Sequence, residues 1–332
     1  MVAARARQDN LTKPLGSLGR LEDLSIQMAG IQGKATPKIT GKAIITMAGD
    51  HGVARSGVSA YPAEVTPQMV HNFLTGGAGI NVLARHVDAR VIIVDVGVAV
   101  DMPAHPDLIV KKVAYGTANL AEGPAMTRDQ AIQSIVAGIE VVEAELAKGL
   151  DLVATGDMGI GNTTPSSAIV ATITGKTVPA VTGRGTGLDD PGLARKIAVI
   201  EQALAINKPD PLDAIDVLAK VGGFEIGGLA GVILGAAANR VGVVIDGFIS
   251  GAAALIAAGI APAARQYMIA GHRSVEGGHT YALAHLGLKP VLDLGFRLGE
   301  GTGAALAMSI VEASTKVLAE MATFAEAGVA EK

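Results

Sequence analysis

Six short runs rich in β-branched and small apolar residues punctuate the chain: Ala43 to Ala48, Val91 to Val96, Leu152 to Thr155, Val243 to Ile245, Tyr267 to Ala270 and Pro290 to Leu292. Each stops at glycine and polar residues, and the intervals between them carry amphipathic or small-residue helical patterns. Strands alternating with helices predict βαβ units, hence an α/β fold: a Rossmann-like, mostly parallel sheet flanked by helices on both faces. In such sheets ligands bind beyond the carboxyl ends of the strands. The residues that follow each run are therefore the ones to inspect.

The same runs raise a question of compartment. Hydrophobic residues make up 49% of the 332, charged residues 17%, and mean hydropathy is +0.42, between a cytosolic enzyme and a membrane protein. A span needs about 20 uncharged apolar residues, and the nearest candidate, Val241 to Pro262, is interrupted by Asp246. Buried parallel strands followed by Ala/Gly-rich helices produce such runs in a soluble protein. The N-terminus has no apolar segment of the secretory kind, so the expected compartment is the cytoplasm. With no cysteine in the chain, disulfides, thiolate metal sites and cysteine nucleophiles are excluded. A net charge of −4 and no basic block longer than Lys111-Lys112 argue against nucleic acid as a partner.

Helical patterns close both ends. Ser17 is placed to cap a helix carrying Leu18, Leu21, Leu24 and Met28, and Ala304 to Val329 continues as a helix with Leu306, Ile310, Val317 and Met321 among its apolar positions. Together they predict a small helical domain built from residues 1–38 and 304–332 around a large α/β domain of residues 39–303.

Five strand-end segments carry the chemistry. Gly49-Asp50-His51-Gly52-Val53 leads to Ser59 and to Thr66-Pro67, a cap and first-turn proline for a helix bearing Gln68, Met69 and Asn72. For an isolated Asp-His pair a tight turn is the simpler reading. In Gly156-Asp157-Met158-Gly159-Ile160-Gly161-Asn162-Thr163-Thr164, a strand runs through spaced glycines into a helix start, which suits either a phosphate or a structural turn. Gly183 to Gly187 is a third glycine loop, followed by a helix carrying Arg195 and Lys196. His272, Glu276 and His279 fit no zinc spacing. Finally, Glu300 stands between Gly299 and Gly301 at a helix start, as a cap or as an exposed proton acceptor.

Taken in order, the motifs TKP, GSLGRLE, GDHGV, GVSAYP, VTPQMV, GDMGIGNTT, GRGTG, GHRSVE and RLGEGTGAALA resemble those of the nicotinate-nucleotide:dimethylbenzimidazole phosphoribosyltransferases of cobamide lower-ligand synthesis, over nearly the whole chain. The resemblance implies a homodimer that transfers the phosphoribosyl group of nicotinate mononucleotide to 5,6-dimethylbenzimidazole or a related base, with no cofactor and no metal. It implies Glu300 as general base, with Asp157 as an auxiliary catalytic group. Gly156, Gly159, Gly161, Asn162, Thr163, Lys196 and Ser274 would form the nucleotide site, and Asp50, His51, Ser59, Gln68 and Leu298 the base side. Three departures stand out: Asp157 where many relatives place Glu, Gly277 where Pro is frequent, and little chain before TKP. The rival readings are a dinucleotide-dependent oxidoreductase, whose G-x-G-x-x-G is missing after the first run, and a non-enzymatic scaffold or membrane protein. The latter leaves the polar strand ends unexplained.

Overall fold

The computed structural model describes residues 1–330. Six strands, β1 (Lys42–Gly49), β2 (Arg90–Gly97), β3 (Leu108–Val110), β4 (Leu152–Met158), β5 (Gly242–Ile245) and β6 (Met268–Ala270), form one sheet of order β3-β2-β1-β4-β5-β6. Every pairing is parallel. Strand order reverses between β1 and β4, so the crevice beyond their carboxyl ends is the topological switch point.

Alternation along the strands builds two cores. Ala43, Ile45, Met47 and Val153 face the cluster formed with Phe224, Leu229, Phe248 and Leu255, whereas Ile44, Ala48, Leu152 and Ala154 face Leu24, Met28, Met308 and Val311. A strand buried on both faces cannot alternate apolar with polar, which accounts for the near-continuous runs. The stretch that rivalled a membrane span divides into β5, a turn at Asp246-Gly247 and the helix Phe248–Ile260, whose side chains are almost all buried. Each buried Leu or Ile there contributes roughly 1.5–3 kcal/mol. No helix among the described residues is long and apolar enough to cross a membrane. The glycine content has a packing cause on the same face: a Cβ at Gly138 would lie 1.9 Å from the Gly228 carbonyl oxygen, so the helices Arg128–Leu146 and Phe224–Ala238 meet backbone to backbone.

Helices from both chain ends, Val2–Asp9, Arg20–Gln32 and Thr302–Glu320, pack together. They share a small cluster of Ala4, Ile26, Ala29 and Leu318 and also cover the second sheet face.

Several local expectations are corrected. Pro290 to Leu292 is not a strand but touches the sheet through a single parallel bridge from His272 to Leu292, while β3, a three-residue edge strand, lies outside the six predicted runs. Ser17 does not cap the first long helix; that helix starts after Gly19, and the Glu22 carboxylate accepts from the Leu18 N–H and from Lys13 instead. Nor does Thr66 cap its helix, which begins at Val65. The C-terminal helix stops at Glu320, because Ala322 and Thr323 turn to pair with Thr12 and Leu11. Its buried stripe is Ala304, Ala305, Ala307, Met308, Val311 and Leu318, one register away from the predicted positions, which are half-buried.

Candidate active site

A cleft of about 330 Å³ opens at the switch point, within the size range of small-molecule sites. One wall is the β4 exit: Asp157, Gly159, Gly161, Asn162 and Thr163. Asn162 stands at the N-cap position of the helix Thr163–Thr174 without a side-chain capping bond; Thr164 donates to the Gly161 carbonyl at 3.0 Å and Pro165 has no N–H, so the Thr163 N–H and the positive end of the helix dipole are what favour an anion there. Behind this wall Lys196, fully buried on the helix Asp190–Asn207, donates to Thr163 Oγ1 at 2.7 Å and to the Gly183 carbonyl at 3.2 Å. Burial draws its ammonium down to about 8 despite the nearby Glu276. One of its three protons has no acceptor among the described residues.

The GRGTG loop closes over this side. Gly185 donates its N–H to Glu276 Oε1 at 2.9 Å, and the Thr186 hydroxyl accepts the Ala60 N–H at 2.9 Å and meets Ser59 Oγ at 3.2 Å. Ser274 lines the cleft, its N–H donated to His279 Nδ1 at 3.0 Å. His279 can always accept there, since burial drives its imidazole down to about 3 and keeps it neutral. His272, also in the lining, faces Asp246 at 3.5 Å. Burial alone would strip its proton, but Asp246 outweighs that and raises the imidazole above its ordinary value. Each of the three residues that invited a metal reading makes one such contact and keeps one buried atom, His272 Nδ1, Glu276 Oε2 or His279 Nε2, without a partner; among the described residues they are not grouped so as to hold a metal ion.

The opposite wall is Leu298 and Gly299, leading to Glu300. Gly299, Glu300 and Gly301 all have positive φ, at 80°, 63° and 98°. For Glu300 this costs about 1–2 kcal/mol, a strain held in place because its N–H bonds to the Asp157 carbonyl at 3.2 Å and its own carbonyl accepts from Thr46 Oγ1 at 3.1 Å. Its side chain reaches the N-terminus of the helix Gly79–His86, where Oε2 accepts the Ile80 N–H at 2.9 Å. Among the described residues Oε1 has no hydrogen-bond partner, and it is not sealed from solvent. Burial raises the Glu300 carboxyl above the usual carboxylate value, against the Ile80 hydrogen bond and with help from Asp246.

Asp157, on the β4 wall, adjoins the other through its carbonyl, which accepts the Glu300 N–H. Its Oδ2 accepts from Asn162 Nδ2 at 2.9 Å, and burial, reinforced by Asp246, Glu225 and Glu300, pushes its carboxyl up to about 8. Unfolded, the same group titrates near 3.8. Between those values the native state holds a proton that the unfolded chain has released, so stability falls as pH rises from about 4 to about 8. Asp157→Asn should therefore raise the melting temperature more at about pH 8 than at about pH 5, by up to several kcal/mol in stability. Thermal melts at the two values check this; an equal gain at both would place the Asp157 titration outside that window.

Of the residues expected from sequence, the structure places Ser59, Asp157, Gly159, Gly161, Asn162, Thr163, Ser274 and Leu298 in the lining, with Lys196 and Glu300 directly behind it. Four lie elsewhere. Gly156 is inside β4, where a Cβ would strike the Glu300 carbonyl oxygen at 2.2 Å, so its role is close packing under Glu300. Asp50 and His51 are buried beneath the Gly159 turn, and Gln68 is on the helix Val65–Leu74, outside the cleft lining. Gly247 to Ile249, His272 and Arg297 also line the cleft. Sequence reasoning passed over the first of these, although Asp246-Gly247 directly follows β5 and the strand-end rule points to it.

A family model for phosphoribosyltransferases matches residues 1–329. A relative from Chloroflexus aggregans, named nicotinate-nucleotide–dimethylbenzimidazole phosphoribosyltransferase, is 68% identical over 330 residues, covering 99% of this chain and 94% of the relative. One of the same name from Geobacter sulfurreducens is 59% identical over 331 residues, covering 100% and 94%. Among solved structures, CobT from Thermus thermophilus superposes with a TM-score of 0.97 at 47% identity, covering 100% of this chain and 99% of that one.

Proposed function

Because the chain belongs to this family of nicotinate-nucleotide–dimethylbenzimidazole phosphoribosyltransferases, we propose that the switch-point cleft transfers the phosphoribosyl group of nicotinate mononucleotide to 5,6-dimethylbenzimidazole, with Glu300 as general base. The observation that carries the site assignment is the pairing of two unlike walls: an anion-favouring helix start backed by Lys196, facing a strained, buried carboxylate with one free oxygen.

The chemistry follows from those walls. The 5′-phosphate is held at the Thr163–Thr174 helix start and by Lys196, with Ser274 and Gly159 to Asn162 along the ribose. The lone-pair nitrogen of the base attacks C1′ from the face opposite the pyridine ring. The C1′–N bond to nicotinate breaks with its electron pair returning to the cationic ring nitrogen, so the leaving group departs without needing a proton. The other ring nitrogen of the base would carry a positive charge unless its proton leaves, and Glu300 Oε1 takes it. Inversion gives α-ribazole 5′-phosphate and nicotinate. Leu298 and Ser59 bound the base side. Alignment of the two heterocycles and the ribose supplies much of the rate.

A homodimer is the proposed assembly, supported by the exposed apolar side chains of Tyr61 and Leu298 in the cleft lining. The cytoplasm is the proposed compartment, since phosphorylated substrates are retained there. The division into residues 1–38 with 304–332 and residues 39–303 is supported by the apolar cluster shared by the two ends.

Purified protein incubated with nicotinate mononucleotide and a panel of bases is expected to release nicotinate only when a benzimidazole-type base is present. Base-independent release, or none with any base, would remove the transfer reading.

A further inference from the structure

We propose that Thr66 is a positioning residue that latches the nucleotide loop, residues 159–163, to the helix bordering the base side. The inference rests on the assignment of that loop to the nucleotide. Thr66 is fully buried in the first turn of the helix Val65–Leu74, and its Oγ1 accepts the Ile160 N–H at 3.1 Å. With the oxygen used as acceptor, the hydroxyl proton is free to be donated. The Asp50 carboxylate lies against it. Asp50 Oδ2 is taken by the Ala99 N–H at 2.8 Å, while Oδ1 is buried and has no hydrogen-bond partner among the described residues. The bond that forms the latch is that of the Ile160 N–H to the Thr66 oxygen, with the Asp50 carboxylate close enough to orient the hydroxyl.

Asp50 is itself fixed. Its N–H bonds to the Gly97 carbonyl at 2.9 Å and its carbonyl accepts from Thr117 at 3.0 Å. The neighbouring His51 is sealed against Glu225, Nε2 to Oε1 at 2.8 Å. Gly159 rests on this floor so closely that a Cβ would lie 2.3 Å from the Gly49 carbonyl oxygen. The Asp50-His51 segment thus serves the site from below, through the Gly159 turn that rests on it. The helix Val65–Leu74 follows the segment of Ser59 and Tyr61, both in the cleft lining, so Thr66 ties the two half-sites together.

Thr66→Val keeps the side-chain shape but leaves the Ile160 N–H unpaired. Steady-state kinetics with the full chain, varying each substrate at saturating levels of the other, are expected to show kcat/KM for nicotinate mononucleotide reduced roughly 10- to 100-fold. The KM for the base should stay within about twofold, since Val70 and Phe73 keep the helix anchored in the core. Thr66→Ser, which retains the oxygen, should recover most of the loss. A Thr66→Val enzyme as active as the parent, a Thr66→Ser enzyme as impaired as Thr66→Val, or matching increases in both KM values would overturn the proposal. Should Thr66→Val fail to fold, Thr66→Ala takes its place; unfolding of both beside a folded Thr66→Ser would make the residue structural and overturn it equally. Failure of the parent enzyme to release nicotinate would strike the functional reading instead.

Discussion

Glu300→Gln should lower turnover by about 10²- to 10⁴-fold, the range that a positioned general base contributes, while nicotinate mononucleotide still binds. The substitution is close to isosteric. Its amide oxygen can continue to accept the Ile80 N–H, so the left-handed Gly299-Glu300-Gly301 turn and its ties to Asp157 and Thr46 are preserved. What disappears is the capacity of the free oxygen to take a proton from the base. In the proposed site the nucleotide is held by Lys196, Ser274 and the Thr163–Thr174 helix start, none of which hydrogen-bonds to the Glu300 side chain, so its affinity should change little. In the parent enzyme the base must be ionised to work, and its carboxyl titrates above the ordinary value. Activity therefore falls as pH drops through that raised value, and the acidic limb should vanish from the residual rate of the variant. Single-turnover nicotinate release together with equilibrium titration of the nucleotide measures both halves. Near-parental turnover in the Gln variant would take the base role away from Glu300.

The parts of this site that were readable in the sequence are those whose signal is local. Gly299-Glu300-Gly301 announces a turn that only glycine neighbours make affordable for a carboxylate, and the glycines before Asn162-Thr163 mark a strand entering a helix start. Five of the strands were legible because burial on both faces leaves runs without polar interruption. β3 was not, since three edge residues carry too little pattern. The four positions that fell outside the cleft lining fail for a common reason: their partners are distant in sequence. His51 points inward because Glu225, 174 residues away, waits there. Gly156 is small because the Glu300 carbonyl crosses it, and Thr66 turns from capping its own helix to hold Ile160. Lys196 shows the converse. Beside Arg195 it reads as one more solvated helix charge, and only the fold brings Thr163 and Gly183 to it.

That burial makes Lys196→Met the second informative variant. In the free enzyme the lysine is a liability: its native value of about 8 against 10.5 unfolded means that the native state binds fewer protons between those values, so its contribution to stability improves only as pH rises through that window. At neutral pH, replacing it with an apolar chain of similar reach removes the buried charge. Against this stands the Gly183 carbonyl, which loses a donor at a cost of about 1–3 kcal/mol. The two effects oppose, and the melting temperature of the free variant should stay near that of the parent. The nucleotide complex is different. A phosphate supplies the acceptor for the third ammonium proton and the charge that offsets desolvation, an interaction worth about 1.5–3 kcal/mol. Its loss should raise KM for nicotinate mononucleotide by roughly 10- to 150-fold and leave KM for the base unchanged. At a fixed nucleotide concentration the ligand-induced rise in melting temperature should shrink in step, because that rise depends on the ratio of concentration to Kd. Equal increases in both KM values, or an undiminished ligand-induced shift, would show that Lys196 does not meet the phosphate.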